Sequence, residues 1–126
     1  MNNKQTTIKD SVSLEGVGIH TGKDVKLTFH PAKENTGYIF KRVDLDDKPE
    51  IEALAKYVVN TQRGTTLEKD GVKLKTTEHV LAALVGLEID NILIEINAEE
   101  PPIMDGSSKF FVDALHGKCF AAPIIP

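Results

Sequence analysis

The amino-acid sequence predicts an α+β fold, a two-layer sandwich in which two helices pack on one face of a mainly antiparallel sheet. The first half of the chain has short segments in which apolar and polar residues alternate, as in strands that are buried on one face. The second half has two helical segments separated by an isoleucine-rich strand. At 126 residues, the chain is long enough for one domain with a single hydrophobic core.

Alternation or a turn signal predicts strands over residues 8–14, 25–29, 38–43, 65–67 and 72–74. The last two flank Asp70-Gly71, a dipeptide typical of two-residue hairpin turns. Glycine and polar residues predict further turns at residues 20–23 and 35–37. Residues 51–59 are compatible with either a strand or a short helix.

The second half opens with a predicted helix over residues 77–87, in which Thr77 is the expected N-cap and Gly86 the expected stop. Every position from 80 to 87 is apolar or glycine. A helix that is apolar all round must be covered on all sides, and one sheet covers only one side. We therefore expect a further partner surface for this helix.

A strand at about residues 90–96 follows, with three isoleucines on one face. Capping residues at 105–108 precede a second predicted helix, which carries Phe110 and Phe111 and has Gly117 as its expected stop. Residues 118–126 fit neither pattern, because they are mostly apolar and show no periodicity. We predict a domain over residues 1–117 and an atypical apolar tail over 118–126, which is either a frayed end or the mark of a truncation or frameshift.

Composition excludes several classes of protein. The net charge is −4 and no basic run is longer than Lys41-Arg42, which argues against a nucleic-acid or anionic membrane surface. The first residues lack the apolar core of a signal peptide, and no apolar stretch approaches the length of a membrane span. The single cysteine, Cys119, excludes an internal disulfide and fits a reducing compartment, so we predict a cytoplasmic protein.

The leading candidate site is the dipeptide Glu78-His79 at the predicted first turn of the first helix. An imidazole is a common metal ligand, and a neighbouring carboxylate can take a proton from an attacking water. A glutamate followed by a histidine in a first turn is also common without any catalytic role. The residue four positions after His79 is Ala83, so the zinc-protease motif with two histidines is absent.

A catalytic zinc ion normally has three protein ligands, and the sequence does not assemble a convincing set. The other candidates are His20, His30, His116 and Cys119. His30 is expected to be solvated on a strand, and His116 closes a helix. His20 lies between two glycine-containing turns and could reach the site of His79.

A polar stretch with an arginine beside a glycine could line the same site or form an ordinary solvated turn. Its members are Thr61, Gln62, Arg63, Gly64 and Thr65.

Four segments, at residues 16–23, 77–84, 86–91 and 102–108, occur in an order that resembles a known family. They look like the N-terminal domain of the zinc-dependent UDP-3-O-acyl-N-acetylglucosamine deacetylases of lipid A synthesis in Gram-negative bacteria. The likeness runs from about residue 6 to about residue 116. The resemblance implies two α+β sandwich domains that pack through their helices, with the active site at their junction.

By the same resemblance, His79 would be one zinc ligand and Glu78 the general base that activates the attacking water. Acetate would leave from the acetamide of a UDP-sugar lipid. The resemblance places the remaining zinc ligands and a catalytic histidine in a second domain, which we do not find in this sequence. The chain alone is therefore expected to be inactive and to bind zinc weakly.

Two other interpretations of the chain remain open. One is a truncated, non-catalytic structural or association module. The other is an RNA-binding domain, against which the acidic balance argues. Without a second domain we expect self-association through apolar helix residues, namely Val80, Leu81, Leu84, Val85, Phe110 and Phe111.

Overall fold

The computed structural model describes residues 5–18, 20–61 and 64–121. The described residues form ten strands and two α-helices, α1 (Glu78–Gly86) and α2 (Lys109–Leu115), with a short 3-10 helix at Ala55–Tyr57. The strands are β1 (Thr6–Ile8), β2 (Val12–Val17), β3 (Asp24–Pro31), β4 (Tyr38–Arg42), β5 (Glu50–Glu52), β6 (Val58–Thr61), β7 (Gly64–Lys69), β8 (Val72–Leu74), β9 (Ile92–Ile96) and β10 (Cys119–Ala121).

The largest sheet has five strands in the order β2-β3-β9-β4-β5. Its pairings are antiparallel except for β4 with β9, which run parallel. With two helices beside a mainly antiparallel sheet, the structure confirms the predicted α+β class. Parallel neighbouring strands need a crossover connection. The chain between β4 and β9 forms this connection, and it contains β5 to β8 and α1.

The core lies between this sheet and the helices. The predicted isoleucine face of β9 is confirmed, because Ile92, Ile94 and Ile96 are fully buried. Phe29 on β3 meets Phe111 on α2 edge to face, with ring centroids 6.5 Å apart and planes at 81°. Such aromatic pairs add about 1 kcal/mol beyond the area they bury, so this contact holds α2 on the sheet.

A three-stranded sheet, β6-β7-β8, leads directly to α1. The hairpin predicted at Asp70-Gly71 is confirmed, and both residues have positive φ, 52° and 81°, as a type I′ turn requires. Residues 51–59, which were compatible with a strand or a short helix, include parts of both. β5 and the 3-10 helix lie there, followed by the start of β6. The buried guanidinium of Arg42 ties the two sheets together, because it donates to the Lys73 carbonyl at 2.9 Å and to Asp44.

The single strand predicted over residues 8–14 is wrong, because residues 9–11 separate β1 from β2. The two strands have different partners: β1 pairs with β10, and β2 pairs with β3. Alternation continues across the break, so periodicity alone could not reveal it. The structure also differs from the prediction after Gly117. No regular element was predicted there, but β10 forms and pairs with β1. Residues 122–126 of the predicted tail lie outside the described part of the chain.

The ends of α1 differ from the predicted ends in their chemistry. Thr77 precedes the helix but makes no side-chain cap, since its hydroxyl donates to the Thr65 carbonyl instead. Gly86 is the last helical residue, but the left-handed stop is Glu88, with φ 59°. The Ile89 N–H donates to the Leu84 carbonyl at 3.0 Å, which is the long bond of a Schellman motif.

The expectation of an uncovered apolar helix surface is confirmed for some residues and wrong for others. Val85 is 65% exposed and Phe110 is 43% exposed, while Leu81 is half-buried. Val80, Leu84 and Phe111 are buried in the core. Among the described residues, no helix has the length and apolar character needed to cross a lipid bilayer.

We expect Phe111→Ala to lower the free energy of unfolding by about 3–5 kcal/mol, because it leaves a cavity under α2. Phe110→Ala removes the same atoms from a half-exposed neighbour and should cost no more than about 1 kcal/mol. Urea unfolding of both variants measures the difference. Equal losses would show that α2 does not pack through Phe111.

Candidate active site

The side chain of Glu78 lies against the start of β7, at the first turn of α1. The Thr65 N–H donates to Glu78 Oε1 at 3.2 Å. A Cβ atom added at Gly64 would lie 2.5 Å from Oε2 and 2.9 Å from Oε1 of the same carboxylate. Gly64 also has a φ of +126°, a conformation that other residues rarely adopt. A side chain at position 64 would therefore strain the backbone and displace the Glu78 carboxylate from the place it occupies here.

Thr77 fixes the approach of the two segments. It is fully buried, and both its N–H and its hydroxyl donate to the Thr65 carbonyl, at 3.0 and 3.1 Å. The Thr65 backbone thus uses its N–H for Glu78 and its carbonyl for Thr77. Three hydrogen bonds lock the start of α1 to the start of β7, which sets where the Glu78 carboxylate lies.

His79 follows on the same turn, and its side chain is half-buried. Among the residues that the structure describes, no group of three or more histidine, cysteine, aspartate or glutamate side chains could hold a metal ion. A zinc site takes three protein ligands, so the described residues do not form a complete one. His79 stays a candidate for one ligand position.

His20 lies beside a buried carboxylate that the sequence did not single out. Its ring Nδ1 is 2.6 Å from Glu100 Oε2, and its backbone N–H donates to Glu100 Oε1 at 2.9 Å. The same carboxylate accepts from the Thr21 N–H at 3.3 Å and from the Thr76 hydroxyl at 3.2 Å. The available sequence signal for Glu100 was weak: a carboxylate directly before two prolines, just after a buried strand.

The environment of Glu100 favours its ionised form. Burial raises the energy of the charged carboxylate, but the hydrogen bonds from His20, Thr21 and Thr76 stabilise that form more strongly. The pKa of Glu100 consequently lies below its ordinary value.

The structure brings some of the predicted site residues together. Gly64 and Thr65 contact Glu78, and His20 lies within 3.4 Å of the Thr76 hydroxyl, two residues before Glu78. The Thr61 backbone pairs with Gly64 at the end of β6. The Thr61 side chain, Gln62 and Arg63 lie outside what the structure describes.

The remaining candidate ligands have other surroundings. His30 was expected to be solvated; its side chain is 29% exposed, and its ring also contacts the Ser11 hydroxyl at 2.7 Å and the Glu95 carboxylate. His116 is exposed at the end of α2, and the Cys119 backbone belongs to β10.

We expect Gly64→Ala to lower the free energy of unfolding by about 2 kcal/mol or more, because a methyl group strains the backbone and collides with the Glu78 carboxylate. In a Glu78→Ala background the collision is removed but the backbone strain stays. Gly64→Ala should then cost about 1 kcal/mol less, as a double-mutant cycle of chemical unfolding can measure. Additive effects would contradict the close approach of the two residues.

The carboxyl of Glu100 should stabilise the fold above pH of about 4.3, the ordinary pKa of glutamate in an unfolded chain, because its folded pKa is lower. That stabilisation is lost as the pH falls through the folded-state pKa. The difference in free energy of unfolding between wild type and Glu100→Gln should therefore shrink from about pH 7 to about pH 3. Glu99→Gln, at a more exposed neighbouring carboxylate, is the control. A difference that grows in acid would contradict the depressed pKa.

A family model described as UDP-3-O-acyl N-acetylglycosamine deacetylase matches residues 5–121. The match includes β10 and so extends beyond the limit of about residue 116 that the motifs suggested. It therefore covers the whole described fold, including both strands of the two-stranded sheet.

Curated relatives support the same assignment. A bifunctional enzyme LpxC/FabZ from Chlorobaculum tepidum is 55% identical, over 88% of this chain and 24% of the relative. One from Bacteroides thetaiotaomicron is 52% identical, over 89% of this chain and 24% of the relative. A UDP-3-O-acyl-N-acetylglucosamine deacetylase from Chromohalobacter salexigens is 49% identical, over 86% of this chain and 36% of the relative.

The chain thus spans between about a quarter and about a third of the length of these relatives. Both the family match and the alignments to these relatives cover most residues of this chain. The chain belongs to the UDP-3-O-acyl N-acetylglycosamine deacetylase family.

Proposed function

We propose that this chain is the N-terminal part of a zinc-dependent deacetylase that acts in lipid A synthesis. The substrate would be a UDP-3-O-acyl-N-acetylglucosamine, whose acetamide is hydrolysed to release acetate. The observation that supports this most is the placement of the Glu78 carboxylate by Gly64 and Thr65, directly before His79. Family membership supports the proposed substrate class.

Glu78 is the proposed general base. An ionised carboxylate has about four acceptor positions, so the bond from the Thr65 N–H leaves capacity for a water molecule. The carboxylate takes a proton as the water oxygen attacks the acetamide carbon. The carbon–nitrogen bond then breaks, acetate leaves, and the departing sugar nitrogen takes up a proton. The rigid attachment of α1 to β7 keeps the base in place during this step.

His79 is the proposed contribution of this chain to the zinc site. Zinc, when bound, would polarise the acetamide carbonyl and assist ionisation of the attacking water. Since the described residues do not supply a full ligand set, we propose that the other ligands come from a second domain outside residues 1–126. The chain alone would then lack deacetylase activity and bind zinc weakly. A cytoplasmic location fits the single cysteine and the nucleotide-sugar substrate.

A second candidate function is that of an association module. The exposed Val85 on α1 and Phe110 on α2 favour it, because apolar side chains on the helices lie open to solvent in this chain. The face could be covered by the second domain or by another copy of the chain. Sedimentation at increasing concentration separates the two, because a monomer at all concentrations would exclude self-association.

A chimera tests the enzymatic proposal. We would replace the matching segment of the Chlorobaculum tepidum relative with this chain and assay acetate release with zinc present. The chimera should be active, Glu78→Ala should lower kcat by about 10²–10⁴-fold, and the isolated chain should be inactive. His79→Ala should reduce the zinc content of the chimera. A folded chimera without activity, or one indifferent to Glu78→Ala, would contradict the proposal.

A further inference from the structure

Glu100, which lies 22 positions after Glu78, is a second carboxylate that the fold holds in place. It is fully buried, and its two oxygens accept four hydrogen bonds from two separate segments. A Cβ atom added at Gly18 would lie 2.5 Å from Glu100 Oε1, so this carboxylate also occupies space that a glycine leaves open. A buried carboxylate with this many donors is built into the fold and does not serve as a surface charge.

One of the two segments carries His20. An ionised carboxylate can only accept, so the proton of the neutral ring must lie on Nδ1, which is 2.6 Å from Glu100. Nε2, on the opposite side of the ring, then carries the lone pair. The His20 side chain is 27% exposed, so a ligand can reach the ring while Glu100 fixes its tautomer and orientation.

The other segment is the start of α1. Thr76 has a φ of +56°, which is unfavourable for a β-branched residue and persists only where surrounding contacts enforce it. Its hydroxyl donates to Glu100 Oε2 at 3.2 Å. The next residue, Thr77, is bound to Thr65, and Glu78 follows. Glu100 therefore holds Thr76, which lies two residues before Glu78 at the entry to α1.

We propose that Glu100 is a positioning residue for the deacetylase reaction, which orients the His20 ring and holds Thr76 so that His20 and Glu78 keep a fixed relation. This inference rests on the proposed function for its catalytic consequence only. The orientation of His20 and Thr76 can be tested without any activity.

The first test is NMR of the whole chain with nitrogen-15 in its histidines. In wild type the neutral His20 ring should show its proton on Nδ1, and Glu100→Gln should shift both ring nitrogens toward the mixed tautomers of a free imidazole. Glu99→Gln is the matched control, because Glu99 is the adjacent carboxylate and pairs with Lys75 at the surface. Unchanged His20 signals in folded Glu100→Gln would overturn the proposal.

The second test measures kinetics in the active chimera. Glu100→Gln should lower kcat about tenfold or more, whereas Glu99→Gln should leave it within about twofold. Thr76→Val, which lacks the hydroxyl, should lower kcat as well, and Thr76→Ser, which keeps it, should restore most of the rate. If Glu100→Gln does not fold, Glu100→Asp keeps the charge on a shorter side chain and should show the same direction.

The two tests separate the possible failures. An inactive wild-type chimera counts against the proposed function, while the NMR result still decides whether Glu100 orients His20. Full activity of Glu100→Gln together with altered His20 signals would reject the catalytic role of the positioning. Equal effects of Thr76→Val and Thr76→Ser would show that the hydroxyl bond to Glu100 is not what holds Thr76.

Discussion

The backbone of Thr65 fixes the start of α1 against the start of β7. Its carbonyl accepts two hydrogen bonds from Thr77 and its N–H donates to Glu78, so the backbone of one residue joins the start of β7 to the first turn of α1. Because Thr77 is fully buried, water cannot readily replace these bonds. If this junction moved, the Glu78 carboxylate would lose its position relative to every other group nearby.

Two carboxylates in this chain, one half-buried and one buried, each occupy space beside a glycine. Glu78 fills the space above Gly64, and Glu100 fills the space above Gly18. In each case a side chain on the glycine would displace the carboxylate, while nearby backbone N–H groups donate to it. At both positions, glycine has no side chain and so leaves room for the carboxylate. The two carboxylates differ in use, since Glu78 faces the proposed chemistry and Glu100 holds His20 and Thr76 beside it.

The two helices are only partly covered by the rest of this chain. A helix that is apolar on all sides cannot be satisfied by one sheet, and the structure leaves Val85 open to solvent while it buries Val80 and Leu84. The relatives are about three to four times longer than the matched segment. The described residues lack a full set of metal ligands and leave part of the helix surface open, and both observations support the proposal that another domain completes the site.

Features that depend on neighbours along the chain could be predicted from the residue pattern. Alternation predicted β3, β4 and β9, the Asp70-Gly71 turn predicted a hairpin, and apolar continuity predicted α1 with Glu78 and His79 on its first turn. Local patterns could not reveal the pairing of β1 with β10, whose residues Thr6 and Ala121 are partners from opposite ends of the chain. Nor could they reveal the bond between His20 and Glu100, which lie 80 positions apart. These contacts form only in the folded chain, because packing, and not sequence periodicity, brings distant polar groups together and removes the water that would otherwise satisfy them.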